Sequence, residues 1–155
     1  MNDIYYIYKS AFGSILIESD GSAITAIKME KNKEPTGKKT ADAITDKAAG
    51  QLEEYFAGKR ERFDVPLRPR GTDFQNAVWK ALCEIPYGET RSYKQIAQMV
   101  NKPTACRAVG MANNKNPIWI MIPCHRVIGS DGSLTGYGGG LEMKQRLLEL
   151  EKGKK

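Results

Sequence analysis

Residues 92–114 read SYKQIAQMVNKPTACRAVGMANN. Ser92 stands three residues before Gln95, a pairing in which each side chain closes an open backbone N–H at a helix start. Ile96, Ala97 and Val100 then recur at helical spacing, Asn101 and Lys102 break the pattern, and Pro103 is suited to open a second helix. Two short helices joined by a tight turn predict a helix-turn-helix. Upstream, the same capping signature recurs at Thr72 and Gln75, followed by Phe74, Ala77, Val78, Ala81, Leu82 and Ile85 along one face. Downstream, the apolar run Ile118 to Ile122 reads as a buried strand ending at Pro123, Cys124, His125 and Arg126. Asp131 and Gly132 signal a turn, Gly136 to Gly140 a glycine-rich loop, and Leu141 to Glu151 a last helix.

The N-terminal half has a different texture. Ile4 to Tyr8, Gly13 to Ser19 and Ala23 to Met29 read as short strands separated by Gly13 and by the turn Ser19 to Ser22, which predicts a small antiparallel sheet. A polar stretch from Lys31 to Lys39 precedes a helix carrying Ala43, Ala48, Leu52, Tyr55 and Phe56, with Gly58 as its stop. Phe63 to Leu67 reads as a last strand, and Arg68 to Gly71 as a linker, so the domain boundary is placed between residues 1–70 and 71–155. The fold class is therefore α/β of the α+β kind, a sheet-and-helix domain followed by a helical one.

Composition narrows the partners. Of 155 residues, 41% are apolar and 27% charged, which is ordinary for a globular chain and excludes fibres and disorder. Lys+Arg 24 against Asp+Glu 18 gives a net charge of +6, a balance that favours polyanionic partners over neutral metabolites. No apolar run approaches the ~20 residues that span a bilayer, and the start MNDIYYIYKS lacks the features of a signal peptide, so a cytoplasmic protein without membrane association is expected. The single histidine, His125, and the absence of CxxC or HExxH spacing predict no bound metal.

Three cysteines without an export signal, Cys83, Cys106 and Cys124, are not expected to form disulfides. Cys124 precedes His125, and a thiol beside a potential base is how a sulfur nucleophile is made at neutral pH. The same cysteine after an apolar strand also reads as a small core residue, and adjacent strand side chains point to opposite faces, so the pair needs a turned backbone or an intervening water. Pro123 makes such a turn reasonable. With Met143, Leu147 and Leu150 setting the buried side of the last helix, Glu151 is the carboxylate placed to face inward and orient His125, against its reading as a frayed terminal residue.

These residues lead to a family. IPCHRVI at 122–128, GTDFQNAVWKAL at 71–82, IPYGETRSYKQIA at 85–97, ACRAVGMANNKNP at 105–117 and GYGGGLEMK at 136–144 together resemble the O6-alkylguanine-DNA alkyltransferases in order and spacing. The resemblance implies a ribonuclease-H-like N-terminal domain and a winged-helix-type C-terminal domain that binds double-stranded DNA through the minor groove. It implies repair by a single transfer of the alkyl group of O6-alkylguanine, and of O4-alkylthymine, to Cys124, by a monomer and without cofactor. Cys124, His125, Glu151, Tyr93 and Asn116 match the family's catalytic positions. In that match, His125 is the base acting through water, Tyr93 assists rotation of the nucleotide and protonates the leaving purine, and Asn116 supports the active-site turn. Arg107 matches the arginine that fills the gap left by the extruded nucleotide. Thr104, Ala105, Cys106, Ala108, Gly110, Lys115 and Arg126 complete the DNA-contacting positions, and Val127, Tyr137, Gly138 and Trp119 the pocket for the flipped base.

The chain departs from the family's pattern at Trp119, where proline is usual, which predicts a bulkier pocket wall and a poorer fit for benzyl-sized substituents. Cys106 replaces a small residue before Arg107, adding bulk at the DNA surface. Rival readings are a non-catalytic lesion sensor, a helix-turn-helix transcription regulator and a Cys/His hydrolase. The presence of Cys124 argues against the first, the small residues Ala105, Ala108 and Gly110 against base readout by the second, and multiple turnovers on an ester or amide would mark the third.

Overall fold

The computed structural model describes residues 3–30, 37–133 and 140–153. It divides into two compact units, one made of Met1–Arg70 with Pro117–Trp119, the other of Gly71–Asn116 with Ile120–Lys155. Among the described residues no helix is long and apolar enough to cross a membrane.

In the first unit, β1 (Ile4–Ser10), β2 (Gly13–Ser19) and β3 (Ile24–Met29) form an antiparallel meander, and β4 (Lys38–Lys39) adds in parallel to β1, giving the order β3-β2-β1-β4. Gly13 at φ 115° supplies the left-handed conformation that closes the first turn. In the second turn, the Asp20 carboxylate accepts the N–H groups of Ser22 and Ala23. α1 (Ala43–Phe56) starts with a reciprocal cap between Asp42 and Thr45 and packs Ala48, Leu52 and Tyr55 into a core with Ile15 and Ile17. Phe63 to Leu67 does not form the expected strand: Leu67 makes a single parallel bridge with Ile24, because Pro66 has no N–H to continue a ladder.

In the second unit, α2 (Asp73–Leu82) and α3 (Tyr93–Met99) begin with the two predicted reciprocal caps, Thr72 with Gln75 and Ser92 with Gln95. α4 (Cys106–Asn114) begins three residues later than Pro103 suggests. Asn101 takes a left-handed φ of 61°, and the Ala105 N–H is spent on the Lys102 carbonyl, so Pro103 and Thr104 lie in a turn. Trp79 ties α2 to α4 through a buried 2.8 Å bond from its indole N–H to the Ala112 carbonyl. A side chain at Gly71 would meet the Trp79 ring at 2.5 Å, so this close approach requires glycine.

The run Ile118 to Ile122 is buried but is not a strand. Two hydrogen bonds with Ile27 pin Pro117 and Trp119 to the edge of β3, at 2.8 and 2.9 Å, and Ile120 then reverses the backbone at φ 72°. A β-branched residue in the left-handed region is strained, by about 1–3 kcal/mol, and persists only where its surroundings impose it. β5 (Arg91–Ser92) and β6 (Val127–Ile128) pair in parallel, which sets the segment Cys124–Arg126 beside the start of α3. α5 (Leu141–Gly153) buries Lys144, Leu147 and Glu151, whereas Met143 and Leu150, expected on the buried side with Leu147, are half-buried.

Candidate active site

Pro123, at φ −82° and ψ 65°, is the centre of an inverse γ-turn in which the Cys124 N–H donates to the Ile122 carbonyl at 2.8 Å. Cys124–Arg126 follow as one turn of 3-10 helix. This supplies the turned backbone that a Cys–His pair needs, since neighbouring side chains no longer alternate across a strand. Two buried asparagines fix the turn: Asn116 donates to the Ile122 carbonyl at 2.8 Å and Asn113 to the Cys124 carbonyl at 3.3 Å. Cys124, His125 and Arg126 are all buried.

Glu151 reaches this turn from the last turn of α5. Its carboxylate accepts from His125 Nε2 at 2.7 Å, from Arg126 Nε at 2.9 Å and Nη2 at 3.0 Å, and from the Gly88 backbone N–H at 3.3 Å. Burial opposes ionisation of Glu151, but the hydrogen bonds and charges of His125 and Arg126 outweigh it and hold the carboxyl at about 2. For His125, burial is the dominant influence and lowers its affinity for a proton despite the contact with Glu151. The imidazole is therefore neutral near pH 7 and charged only at acid pH, so the permanent charge beside Glu151 is that of Arg126. A neutral ring that donates Nε2–H to a carboxylate must leave Nδ1 as its lone-pair nitrogen. That Nδ1 is buried and without a hydrogen-bond partner among the described residues. The site thus holds a histidine oriented as a base, beside a buried thiol.

Arg126 does not lie where a DNA contact requires it. Its guanidinium is buried, binds Glu151 and the Ile85 carbonyl at 2.7 Å, and lies over the Tyr87 ring at 5.7 Å. Satisfying the inward carboxylate has drawn it away from solvent. Trp119 is buried in the first unit, with the Lys28 ammonium 4.6 Å above its ring and its backbone N–H bonded to the Ile27 carbonyl. Val127 is buried and its carbonyl accepts from Lys144 Nζ at 2.5 Å. Tyr137 and Gly138 lie outside the described residues.

Tyr93 is half-buried at the first position of α3, with its ring beside Gly110 of α4. Thr104, Arg107, Ala108 and Lys115 are exposed and Ala105, Cys106 and Gly110 half-buried, while Val109, Ala112 and Asn113 face the core. α4 thus offers a basic, small-residue surface. Met111, one turn after Arg107 and 63% exposed, belongs to it and was not anticipated from the sequence. Asn113 and Lys144 were also missed; the signal each carried was a polar residue in register with buried ones, Asn113 four after Val109 and Lys144 three before Leu147. Among the described residues no group of three His, Cys, Asp or Glu side chains is placed to hold a metal ion.

Comparison with known proteins matches both halves of the chain. Residues 73–153 match the DNA-binding domain of 6-O-methylguanine DNA methyltransferase, and residues 4–69 its ribonuclease-like domain. A methylated-DNA–protein-cysteine methyltransferase of Methanosarcina barkeri is 56% identical over 152 residues, covering 95% of this chain and 96% of its own. One of Mycobacterium tuberculosis is 52% identical over 151 residues, covering 96% and 92%. The crystal structure of Mycobacterium tuberculosis OGT in complex with DNA superposes with a TM-score of 0.92 at 50% identity, covering 97% of this chain and 94% of that one.

Proposed function

The chain belongs to the 6-O-methylguanine DNA methyltransferase family, and from that premise we propose that Cys124 is the residue on which its alkyl transfer ends. Its activity is that of a methylated-DNA–protein-cysteine S-methyltransferase, a transferase that repairs DNA by direct reversal of damage. The observation that carries the assignment is the buried arrangement of Cys124, His125 and Glu151 at one turn, with His125 Nε2 bound to Glu151 and Nδ1 without a hydrogen-bond partner among the described residues.

A guanine inside the duplex hides its O6 substituent, so the lesion has to be turned out of the stack at a cost of a few kcal/mol. In this reading α4 enters the minor groove, Arg107 occupies the space left by the nucleotide, and Lys115 and Thr104 contact phosphate. The thiol proton of Cys124 passes through a water to His125 Nδ1, and Glu151 stabilises the resulting imidazolium. The thiolate attacks the alkyl carbon in line; the S–C bond forms as the C–O6 bond breaks, and the electron pair stays with the purine. Tyr93 donates its hydroxyl proton to the purine and regains one from the imidazolium, so the proton lost by sulfur ends on the repaired base. A thioether has no easy hydrolytic return to a thiol, and each molecule acts once, as a monomer and without a cofactor. Residues 1–70 and 71–155 act as its two domains, the second carrying the DNA-contacting and transfer residues.

The test is the peptide-level mass of the protein after incubation with a duplex carrying O6-methylguanine. One methyl on the Cys124 peptide, with equal loss from the DNA, is the expected result. A methyl on the Cys83 or Cys106 peptide, or an unchanged mass with tight lesion binding, would overturn the assignment.

A further inference from the structure

The exposed side of α4 carries one long apolar side chain, Met111. Arg107, Met111 and Lys115 recur every four residues and form a row along that side, while Val109, Ala112 and Asn113 take the buried one. Met111 therefore stands in the middle of a basic surface, with a cation one turn before it and another one turn after it. Isolated apolar side chains are ordinary on a protein surface, and it is the position of this one that sets it apart. It lies within the matched DNA-binding domain, and a polyanion drawn to Arg107 and Lys115 has to cover it. We propose that Met111 is an apolar wedge that enters the minor groove beside Arg107 and helps to unstack the lesion-bearing base pair. The proposal rests on the reading in which α4 lies in that groove.

Shape and energetics favour insertion over passive cover. Ala108, three residues before Met111 on the same face, and Gly110 at the edge of this surface are small. Small residues let the helix backbone come close to DNA, so a long side chain rising among them reaches deeper than the backbone does. Methionine is unbranched and flexible, which suits the irregular space between sugars and base edges, and it is among the side chains that minor-groove proteins insert between base steps. The two cations attract phosphate but leave the groove wet; burying the apolar side chain of Met111 between them adds a contact that excludes water. Arg107 then fills the gap left by the extruded nucleotide while Met111 holds the neighbouring step apart, so extrusion is supported by a charged and an apolar contact together.

Contact is tested in the full chain carrying Cys124→Ser, which keeps the lesion intact in the complex. Peroxide oxidation of Met111 to the sulfoxide is followed by peptide mass with and without a duplex carrying O6-methylguanine, with Met29 of β3 as internal reference. Oxidation of Met111 is expected to be at least ~5-fold slower in the complex with Met29 unchanged, and equal oxidation free and bound overturns the proposal. In the same background, Met111→Ala is expected to weaken binding of the lesion duplex about tenfold without changing the slope of log affinity against log salt, because an apolar contact releases no counterion, whereas Lys115→Ala lowers that slope by about 1. Met111→Leu retains the affinity, and Met111→Gln, of similar length but polar, does not. With Cys124 in place, Met111→Ala slows single-turnover transfer from a paired lesion about tenfold at saturating DNA and leaves transfer from an already unpaired lesion nearly unaffected, a split that a loss of helix stability would not produce. Unchanged affinity in Met111→Ala, or an equal loss of rate on the two duplexes, overturns the wedge. An unmoved slope in Lys115→Ala together with an unprotected Met111 sinks the placing of α4 in the groove, whereas a lowered Lys115 slope with an unprotected Met111 sinks the role of Met111 alone.

Discussion

Glu151→Gln keeps the shape of the side chain and removes only its charge, leaving the buried Arg126 guanidinium without its carboxylate. Two independent routes give the magnitude. Removing one partner of a buried ion pair costs about 3–5 kcal/mol, because the other charge is left uncompensated. The carboxyl itself falls from 4.5 to about 2 on folding, and at about 1.4 kcal/mol for each tenfold change this is worth about 3 kcal/mol. A carboxyl whose folded value lies below its unfolded value stabilises the protein above the unfolded value and loses that contribution as pH falls through the folded one. The wild type is therefore expected to exceed Glu151→Gln by about 3 kcal/mol at pH 7, with the gap shrinking between pH 4.5 and about 2 as the wild-type carboxyl takes up its proton. Urea denaturation measures it, followed by the fluorescence of buried Trp79 in a Trp119→Phe background so that the signal reports the second unit alone. A gap under about 1 kcal/mol at pH 7, or one unchanged at pH 3, would refute the view that Glu151 is ionised and bound to Arg126 in the folded protein.

Other substitutions probe the remaining roles. Asn116→Ala removes the donor that holds the buried Ile122 carbonyl and is expected to cost about 1–3 kcal/mol and to slow transfer; unchanged stability in the same urea assay would show that the turn holds without it. Arg107→Ala should slow transfer from a paired lesion more than from one already unpaired, measured as single-turnover rates on the two duplexes, and an equal loss on both would remove it from base extrusion. Tyr93→Phe should lower the single-turnover rate at saturating DNA by about 10²–10⁴-fold with lesion affinity retained, and a loss confined to affinity would argue against proton donation.

The parts of this fold that were legible in the sequence are those decided by neighbours in the chain. Thr72 with Gln75 and Ser92 with Gln95 mark helix starts because a cap is satisfied within one turn, and both caps form. The hairpin strands followed from short runs rich in Ile and Tyr and from the turn residues between them, Gly13 and Ser19 to Ser22. The path of residues 117–122 was not legible, because an unbroken apolar run carries burial but no period. Its strand reading failed on Ile120, whose left-handed conformation no local preference announces. The start of α4 was misread for a related reason: proline permits a helix start without requiring one.

The site was half legible, and the division has a physical cause. Cys124 and His125 stood out as a nucleophile beside a base, and Glu151 as the inward carboxylate of its helix, but each kept a plain reading, a core cysteine and a frayed terminus, until the family resemblance matched them; the structure brings all three to one buried turn. Arg126 was carried over from the family's pattern as a DNA-contacting position, and only the fold reveals that its guanidinium is buried as the counter-charge of Glu151. The same logic would have found Lys144. On α5 it shares a face with Leu147 and Glu151, so an amphipathic reading places a lysine, a leucine and a glutamate together in the core. Burying one ionisable group on a helix stripe is unfavourable unless it is compensated, and burying two of opposite sign seven residues apart requires a partner for each. Glu151 takes Arg126 and His125 at one end of the stripe. At the other end Lys144 takes the Val127 carbonyl, so both buried charges of the stripe are bonded to the stretch of chain from His125 to Val127 that follows Cys124.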